Sequence, residues 1–415
     1  MYALGVLLFA LAIAASIMLH EAGHMVSAKR FGMKVTQYFL GFGPTLWSFK
    51  RGETEYGVKA IPAGGFVKII GMTPLEDEGA QNEPRAFWRA PVWKRTIVLS
   101  AGSLTHFALG FVLLYICALV AGLPVDPRAE PARLDAVSSC LVVNYETTSS
   151  GDLRDCRADD PAGPARAAGL RAGDEIVAVG STPTPTQGEM LRAIRTSPPG
   201  PTTVTYVRDG QRKQASIELV SVRRPPLDST DDNAREQVSA IGVLLAQPEP
   251  TRTYGPIESL DKSVYFTGQF FKGTFTAIAR FPQKIPPLID ALNPSTQRDP
   301  NGPISVVGAS RLGGEALATE RPGGATTFLL ILAGLNFFIG VFNLFPLLPL
   351  DGGHIAVIWF EKVRSWFASR LGRPDPGRVD YTKLLPITYV VIILFGGISL
   401  LTIAVDIVNP VRLFQ

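Results

Sequence analysis

The chain has 415 residues, with 40 Lys and Arg against 36 Asp and Glu, a formal charge of +4, and a hydrophobic fraction of 46%. So small a charge gives no reason to expect a nucleic-acid partner. The apolar residues are not spread as in a soluble protein of two or three domains. They gather into four blocks, each near the length of about 20 residues that crosses a bilayer.

The first block, residues 1–28, has no Lys or Arg before Lys29 and is too long for the core of a cleaved signal, so it reads as a retained transmembrane helix. It ends in His20-Glu21-Ala22-Gly23-His24. Positions four apart share a helix face, so both imidazoles can reach one metal ion while Glu21 projects beside it as a base. The bland reading is a chance H-E-x-x-H on an amphipathic helix. A membrane segment, however, offers no hydration to three ionisable side chains, which favours one zinc ion.

Residues 29–95 hold eleven Lys and Arg, and 352–386 hold six more. The positive-inside rule makes both loops cytoplasmic, with the N-terminus, the central segment and the C-terminus outside. The metal motif then lies toward the cytoplasmic leaflet. Within 29–95, apolar and β-favouring residues flank a turn at Arg51-Gly52-Glu53 and predict a cytoplasmic-side, membrane-associated β-hairpin region over 39–61, continued through Gly64-Gly65 to residue 69. Whether it dips into the membrane or forms a surface sheet is open at this point. Its 54–60 edge is the expected place for an unwound substrate to add as a strand. An acidic loop follows at 76–84.

The second span, 96–123, opens with the small residues Ala101-Gly102-Ser103, which let another helix approach closely. His106 is either a satisfied core histidine or a residue facing the metal centre, and Cys117 is a small core or lipid-facing residue. In 124–250, strand patterns surround a helical stretch at 186–195, and Asp209-Gly210 marks a hairpin turn. The signature Gly169-Leu170-x-x-Gly173-Asp174-x-Ile176 resembles a PDZ domain of the bacterial protease type, here an extracytoplasmic α+β domain that receives extended peptides. Cys140 and Cys156 lie in this outer segment, where a disulfide can persist; two free thiols are the alternative.

Residues 251–325 form a linker whose 259–281 stretch is amphipathic and is expected on the outer membrane surface. The third span, 326–351, ends in Asn343-Leu344-Phe345-Pro346-Leu347-Leu348-Pro349-Leu350-Asp351-Gly352. The prolines predict an unwound backbone carrying Asp351 at the depth of the two histidines. A zinc ion held by two histidines lacks a third protein ligand, and Asp351 suits it; a helix-capping aspartate is the alternative. A cytoplasmic loop, 352–383, leads to the fourth span, 384–408.

Taken together, the H-E-x-x-H motif, Gly41-Phe42-Gly43, the PDZ-like insert, Gly302-Pro303-Ile304-Ser305 and the Asn343 to Gly352 run resemble the site-2 protease family of intramembrane zinc metalloproteases. The similarity is to its bacterial branch with an outer PDZ domain, and most of all to actinobacterial members. It covers nearly the whole chain. The resemblance puts metal ligands on His20, His24 and Asp351, the catalytic glutamate on Glu21, and substrate contacts on Asn343, Gly41 and Gly43, with His106 as a further substrate-side candidate. One place departs, since Gly102-Ser103 and His106 stand where the family often has Gly-Pro and a downstream Asn. The implied substrates are single-pass membrane proteins, typically anti-sigma factors first shortened outside by a site-1-type protease. The implied location is the cell membrane, as a multi-pass protein.

Two other classes compete. A catalytically silent membrane PDZ adaptor with a structural zinc predicts a closed site of four protein ligands, and a metal transporter predicts carboxylates or histidines repeated along several spans. Neither needs the base at Glu21.

Overall fold

The computed structural model describes residues 1–415 except 73–81, 147–153, 228–233, 248, 297, 300, 320–322 and 414–415. Most of the acidic loop at 76–84 therefore lies outside the described residues. The chain divides into two units, Met1–Leu123 with Thr251–Gln415, and Pro124–Pro250.

Among the described residues of the first unit, four helical segments are long and apolar enough to cross a membrane: Tyr2–Arg30, Val92–Ala121, Gly324–Asn343 and Tyr381–Val408. α1 (Tyr2–Arg30) buries Gly5, Phe9, Ile13, Ser16, His20, His24 and Ala28, a single stripe at helical spacing. Lys29 and Arg30 close its last turn, where cations suit the helix dipole. α1 is followed by two long strands, β1 (Val35–Arg51) and β2 (Thr54–Ile69), joined by the tight turn at Gly52.

This ribbon does not stay a simple hairpin. Gly41 and Gly43 adopt φ of 86° and 84°, open to glycine at no steric cost, and the ribbon bends there and folds back on itself. Gln37, Tyr38, Phe39 and Leu40 consequently pair with Lys68, Val67, Phe66 and Gly65 on one side and with Glu55, Tyr56, Gly57 and Val58 on the other. Of the 54–60 stretch, expected to be a substrate-accepting edge, residues 55–58 are enclosed between 37–40 and 47–50. Among the described residues the two stretches paired on one side only are 45–51 and 65–69.

α2 (Val92–Ile116) runs into a wider turn at Cys117–Ala121. The second unit is an α+β domain. After the two-residue β3 (Leu123–Pro124), which pairs with the later β11 (Thr251–Arg252), come β4 (Ala132–Val137), α3 (Pro164–Ala167), β5 (Glu175–Val179), β6 (Thr182–Pro183), α4 (Gln187–Thr196), β7 (Gly200–Arg208), β8 (Gln211–Arg224), β9 (Glu236–Ala240) and β10 (Val243–Leu245). The sheet order is β10-β4-β5-β7-β8-β9, with β6 on β5. Asp209 and Gly210 both have positive φ and form the two-residue hairpin turn that their sequence predicts. A capping box of Thr186 and Glu189 starts α4, whose Met190 and Ile194 pack with Leu134, Ile176, Val204 and Ile217 in the core.

The remaining helices add detail to three stretches that the sequence leaves coarse. The 259–281 stretch is helical as expected but belongs to a longer helix, α5 (Pro256–Asp290). Its Phe270 and Phe271 pack on Phe337 of α7 (Gly324–Asn343), and Phe271 also packs on Phe107 of α2. Part of the supposed linker is α6 (Val306–Ala318), capped by the Ser305 hydroxyl, which accepts from the Gly308 amide at 3.2 Å. Gly313 of α6 abuts Phe9 of α1, leaving no room for a side chain. Finally, the expected loop after Asp351 is largely α8 (Asp351–Arg370), which leads to α9 (Leu385–Val408). Asp406 of α9, fully buried, accepts from Arg298 at 3.0 Å and from the Ser305 amide at 2.6 Å, so the charge is paired where lipid would not tolerate it alone.

Candidate metal centre

His20 and His24 lie on the buried stripe of α1, one turn apart. Their Nε2 atoms are 3.1 Å from each other and 3.4 and 3.3 Å from Oδ2 of Asp351. Asp351 does not sit on unwound backbone as its prolines suggest. The non-helical stretch is 344–350, and Asp351 is the first residue of α8. Gly352 and Gly353 explain the fit, because a Cβ on either would overlap the backbone of Leu344 or of Leu347 and Leu348. The two prolines thus end α7, and the two glycines let the next helix start against the turn.

Two imidazole nitrogens and a carboxylate oxygen, all of them metal-ligating atoms, thus converge on one point. Oδ2 of Asp351 and Nδ1 of His20 are both buried without a hydrogen-bond partner. A tetrahedral zinc with bonds of about 2.0–2.1 Å separates its ligand atoms by about 3.3–3.4 Å, close to the triangle seen here. The donor set therefore fits one zinc ion. His24 is oriented by its other nitrogen, with Nδ1–H donating to the Val98 carbonyl at 2.7 Å, which leaves Nε2 as the lone-pair side.

α2 approaches this cluster through Gly102. A methyl group there would overlap Nε2 of His24 and stand 2.7 Å from Nδ1 of His20. The small-residue run signals close helix approach in the sequence, though not that the approach is to the ligands themselves. His106, one turn further along α2, has its ring centroid 5.0 Å from that of His20. Its Nδ1 lies 2.8 Å from Oδ1 of Asn336, whose amide group donates to the Leu332 carbonyl. That second bond fixes the amide, so Nδ1 of His106 is the donor and Nε2 the bare nitrogen. Asn336 escaped the sequence reading, although a buried asparagine in a membrane helix is itself a signal that a polar partner is near.

The described residues contain one metal-competent group, His20, His24 and Asp351, and His106 is not part of it. The four-ligand set required by the silent adaptor is thus not found among them, and three ligands are the pattern of a catalytic zinc with an open position. Glu21, next to the ligand stripe, is approached by the ribbon: a Cβ on Gly65 would lie 3.3 Å from its Cγ. Gly41 and Gly43 shape the ribbon's bend, and Asn343 is the half-buried last residue of α7. Within the Pro124–Pro250 unit, Cys140 and Cys156 are joined as a disulfide.

Membrane-crossing helices around a three-ligand zinc site with an adjacent glutamate define an integral-membrane zinc metalloprotease. Residues 8–373 match Peptidase family M50. The chain is 44% identical, over all of both sequences, to the zinc metalloprotease Rip1 of Mycobacterium bovis and to that of Mycobacterium tuberculosis, and 42% identical, again end to end, to that of Mycolicibacterium smegmatis. The chain belongs to peptidase family M50, the site-2 protease family.

Proposed function

We propose that this zinc metalloprotease cleaves single-span membrane proteins within their transmembrane segments, anti-sigma factors being the leading candidates, after a site-1-type protease has made a first cut outside. The observation that supports it best is the site's depth: His20, Glu21 and His24 lie on a membrane-crossing helix, so only a peptide that itself enters the membrane can reach them.

In this reading His20, His24 and Asp351 hold the zinc, whose chemistry when bound is that of a Lewis acid that polarises a carbonyl and acidifies water. The Glu21 carboxylate takes a proton from the attacking water and returns it to the nitrogen of the departing amine. His106, held by Asn336, stands beside His20, and its bare Nε2 can accept a hydrogen bond from the substrate. A transmembrane helix hides its carbonyls in its own hydrogen bonds and must unwind to react. Its freed amides cost several kcal/mol each in lipid unless paired. The ribbon shaped by Gly41 and Gly43 offers that pairing, with Asn343 as a further contact.

The basic residues of 29–95 and 352–386 support a cytoplasmic placement of both segments, with the active site toward the inner leaflet and the Pro124–Pro250 unit outside as a PDZ-like domain. The Gly169 to Ile176 signature supports the PDZ reading: Gly169 and Gly173 have positive φ, while Leu170, Asp174 and Ile176 are buried. The test is co-expression with tagged candidate anti-sigma factors. The intact enzyme should yield a shortened fragment and Glu21→Gln should not; a fragment independent of Glu21 overturns the assignment.

A further inference from the structure

α8 starts at a metal ligand and has two sides already covered. On one, Ile358 packs with Val98 and Leu99 of α2, and Glu361 pairs with Arg95 at 3.7 Å. On the next, the chain that returns to α9 is bonded along it: the Val379 amide to Glu361 at 2.8 Å, Ser365 to Asp375 at 2.8 Å, and Arg364 to the Gly377 carbonyl at 2.6 Å. The return ends where Tyr381 stacks on His354 in the first turn of α8, with ring centroids 5.9 Å apart. The membrane-crossing segment that starts at Tyr381 thus begins level with the start of α8, and the rest of α8, about 24 Å at 1.5 Å per residue, runs on past that level.

The third side is bare and apolar. Trp359, Phe360, Val363, Trp366, Phe367 and Leu371 recur at helical spacing, and all are about half exposed or more. Basic residues frame them: Lys362 on one flank, Arg370 over the Trp366 ring at 5.2 Å, and Arg373 just beyond the helix. From Trp359 to Arg378 there are five basic residues against two acidic ones. Water is a poor environment for two tryptophans and two phenylalanines in a row, and the bilayer core is a poor one for the arginines. An interface of acyl chains and anionic headgroups meets both demands, since tryptophan favours the headgroup level and basic side chains snorkel to the phosphates.

We infer that the Trp359–Leu371 face of α8 docks on an anionic phospholipid surface, and that this contact holds the helix whose first residue, Asp351, completes the metal centre. The inference requires the chain to be embedded in a membrane but not that it cleave any particular substrate, so its test uses no cleavage.

The full-length protein, with Trp47, Trp88 and Trp93 replaced by Phe, is placed in nanodiscs of phosphatidylcholine with and without phosphatidylglycerol, the acyl chains brominated near the headgroups. Emission from Trp359 and Trp366 should be quenched by the lipid, more strongly with phosphatidylglycerol. The excess should vanish in the combined Lys362→Glu, Arg370→Glu, Arg373→Glu variant. As a control free of substitutions, hydrogen exchange over 359–371 in the unaltered protein should slow when phosphatidylglycerol is present. Quenching by aqueous acrylamide but not by brominated lipid overturns the proposal, as does protection from both with cross-links between copies. Equal behaviour in the two lipids, with no effect of charge reversal, overturns its anionic part.

Discussion

Gly102 of α2 touches the rings of both His20 and His24, so closely that an added methyl group would overlap Nε2 of His24. The metal site is thus built by a helix that donates no ligand to it. Gly102→Ala must push one imidazole out of the ligand triangle, and zinc content should fall well below one equivalent. Activity should drop about 10- to 100-fold, the usual effect of disturbing a ligand's support. Metal analysis of the purified variant and a cleavage assay check this; full zinc with full activity would show that α2 yields easily.

Glu21 separates from the ligands in a different way. It lies outside the group formed by His20, His24 and Asp351. Glu21→Gln should therefore abolish cleavage while leaving zinc near one equivalent. Loss of zinc in this variant would make Glu21 a ligand and undo the proposed roles.

The pair of His106 and Asn336 predicts a graded series. His106→Leu removes the bare Nε2 beside His20, which can accept one hydrogen bond from the substrate, and should cost roughly 10-fold in rate, the worth of one hydrogen bond. His106→Asn should keep part of the activity. Asn336→Leu leaves Nδ1 of His106 buried and unpaired, a destabilising change of about 1–3 kcal/mol, and should lower the melting temperature as well as the rate. Full activity in His106→Leu would reduce His106 to a packing residue.

In the second unit, Asp174 accepts from Arg208 at 2.7 Å through both oxygens and from the Arg171 amide at 2.8 Å. Burial alone pushes a carboxyl up, but the guanidinium and the amide outweigh it and hold Asp174 below the usual carboxylate range. A carboxyl with its folded pKa below its unfolded one, about 3.9, adds stability above that pH and loses it as pH falls through the folded value. Exchange protection over 170–180 should therefore weaken below about pH 4, and Asp174→Asn should flatten this dependence. Arg208→Ala strands a buried carboxylate and should cost about 3 kcal/mol.

What could be read from the residues depended on whether one local pattern determined the outcome. Spans of uniform apolar composition and the H-E-x-x-H spacing are such patterns, and so is Asp209-Gly210, where only positive φ closes the hairpin. α8 was hidden because its apolar residues are interrupted by Glu361, Lys362 and Arg364, which read as loop when the partners on α2 and on the return segment are unseen. α6 was hidden by Gly308, Gly313 and Gly314, which weaken a helix in isolation but here allow contact with Asp406, Phe9 and Val6. The fold-back of the ribbon depends on Gly41 and Gly43, and no count of strand-forming residues reveals where a long strand bends.

That bend changes where a substrate strand can add. Prolines at 55–58 would break pairs on both sides and unfold the ribbon, so they cannot probe substrate binding. The 65–69 stretch is the better candidate: it is paired to β1 on one side, Gly65 packs on Glu21, and the Val67 amide faces the Glu21 carboxylate. A substrate entering as an added strand would exchange main-chain bonds here and bring its carbonyl within reach of the base. Val67→Pro removes one outward donor while leaving the side chain apolar, and proline is tolerated on an edge whose N–H faces away from its own ladder. Because Val67 also neighbours Glu21, the readout should be binding and not rate. In the Glu21→Gln background, uncleaved tagged substrate should co-purify with the enzyme, and adding Val67→Pro should reduce capture about 10-fold, the worth of one well-made hydrogen bond. Val67→Ala, which keeps the amide, should capture normally. Equal capture by the proline and alanine variants, both zinc-loaded, would rule out strand addition at this edge.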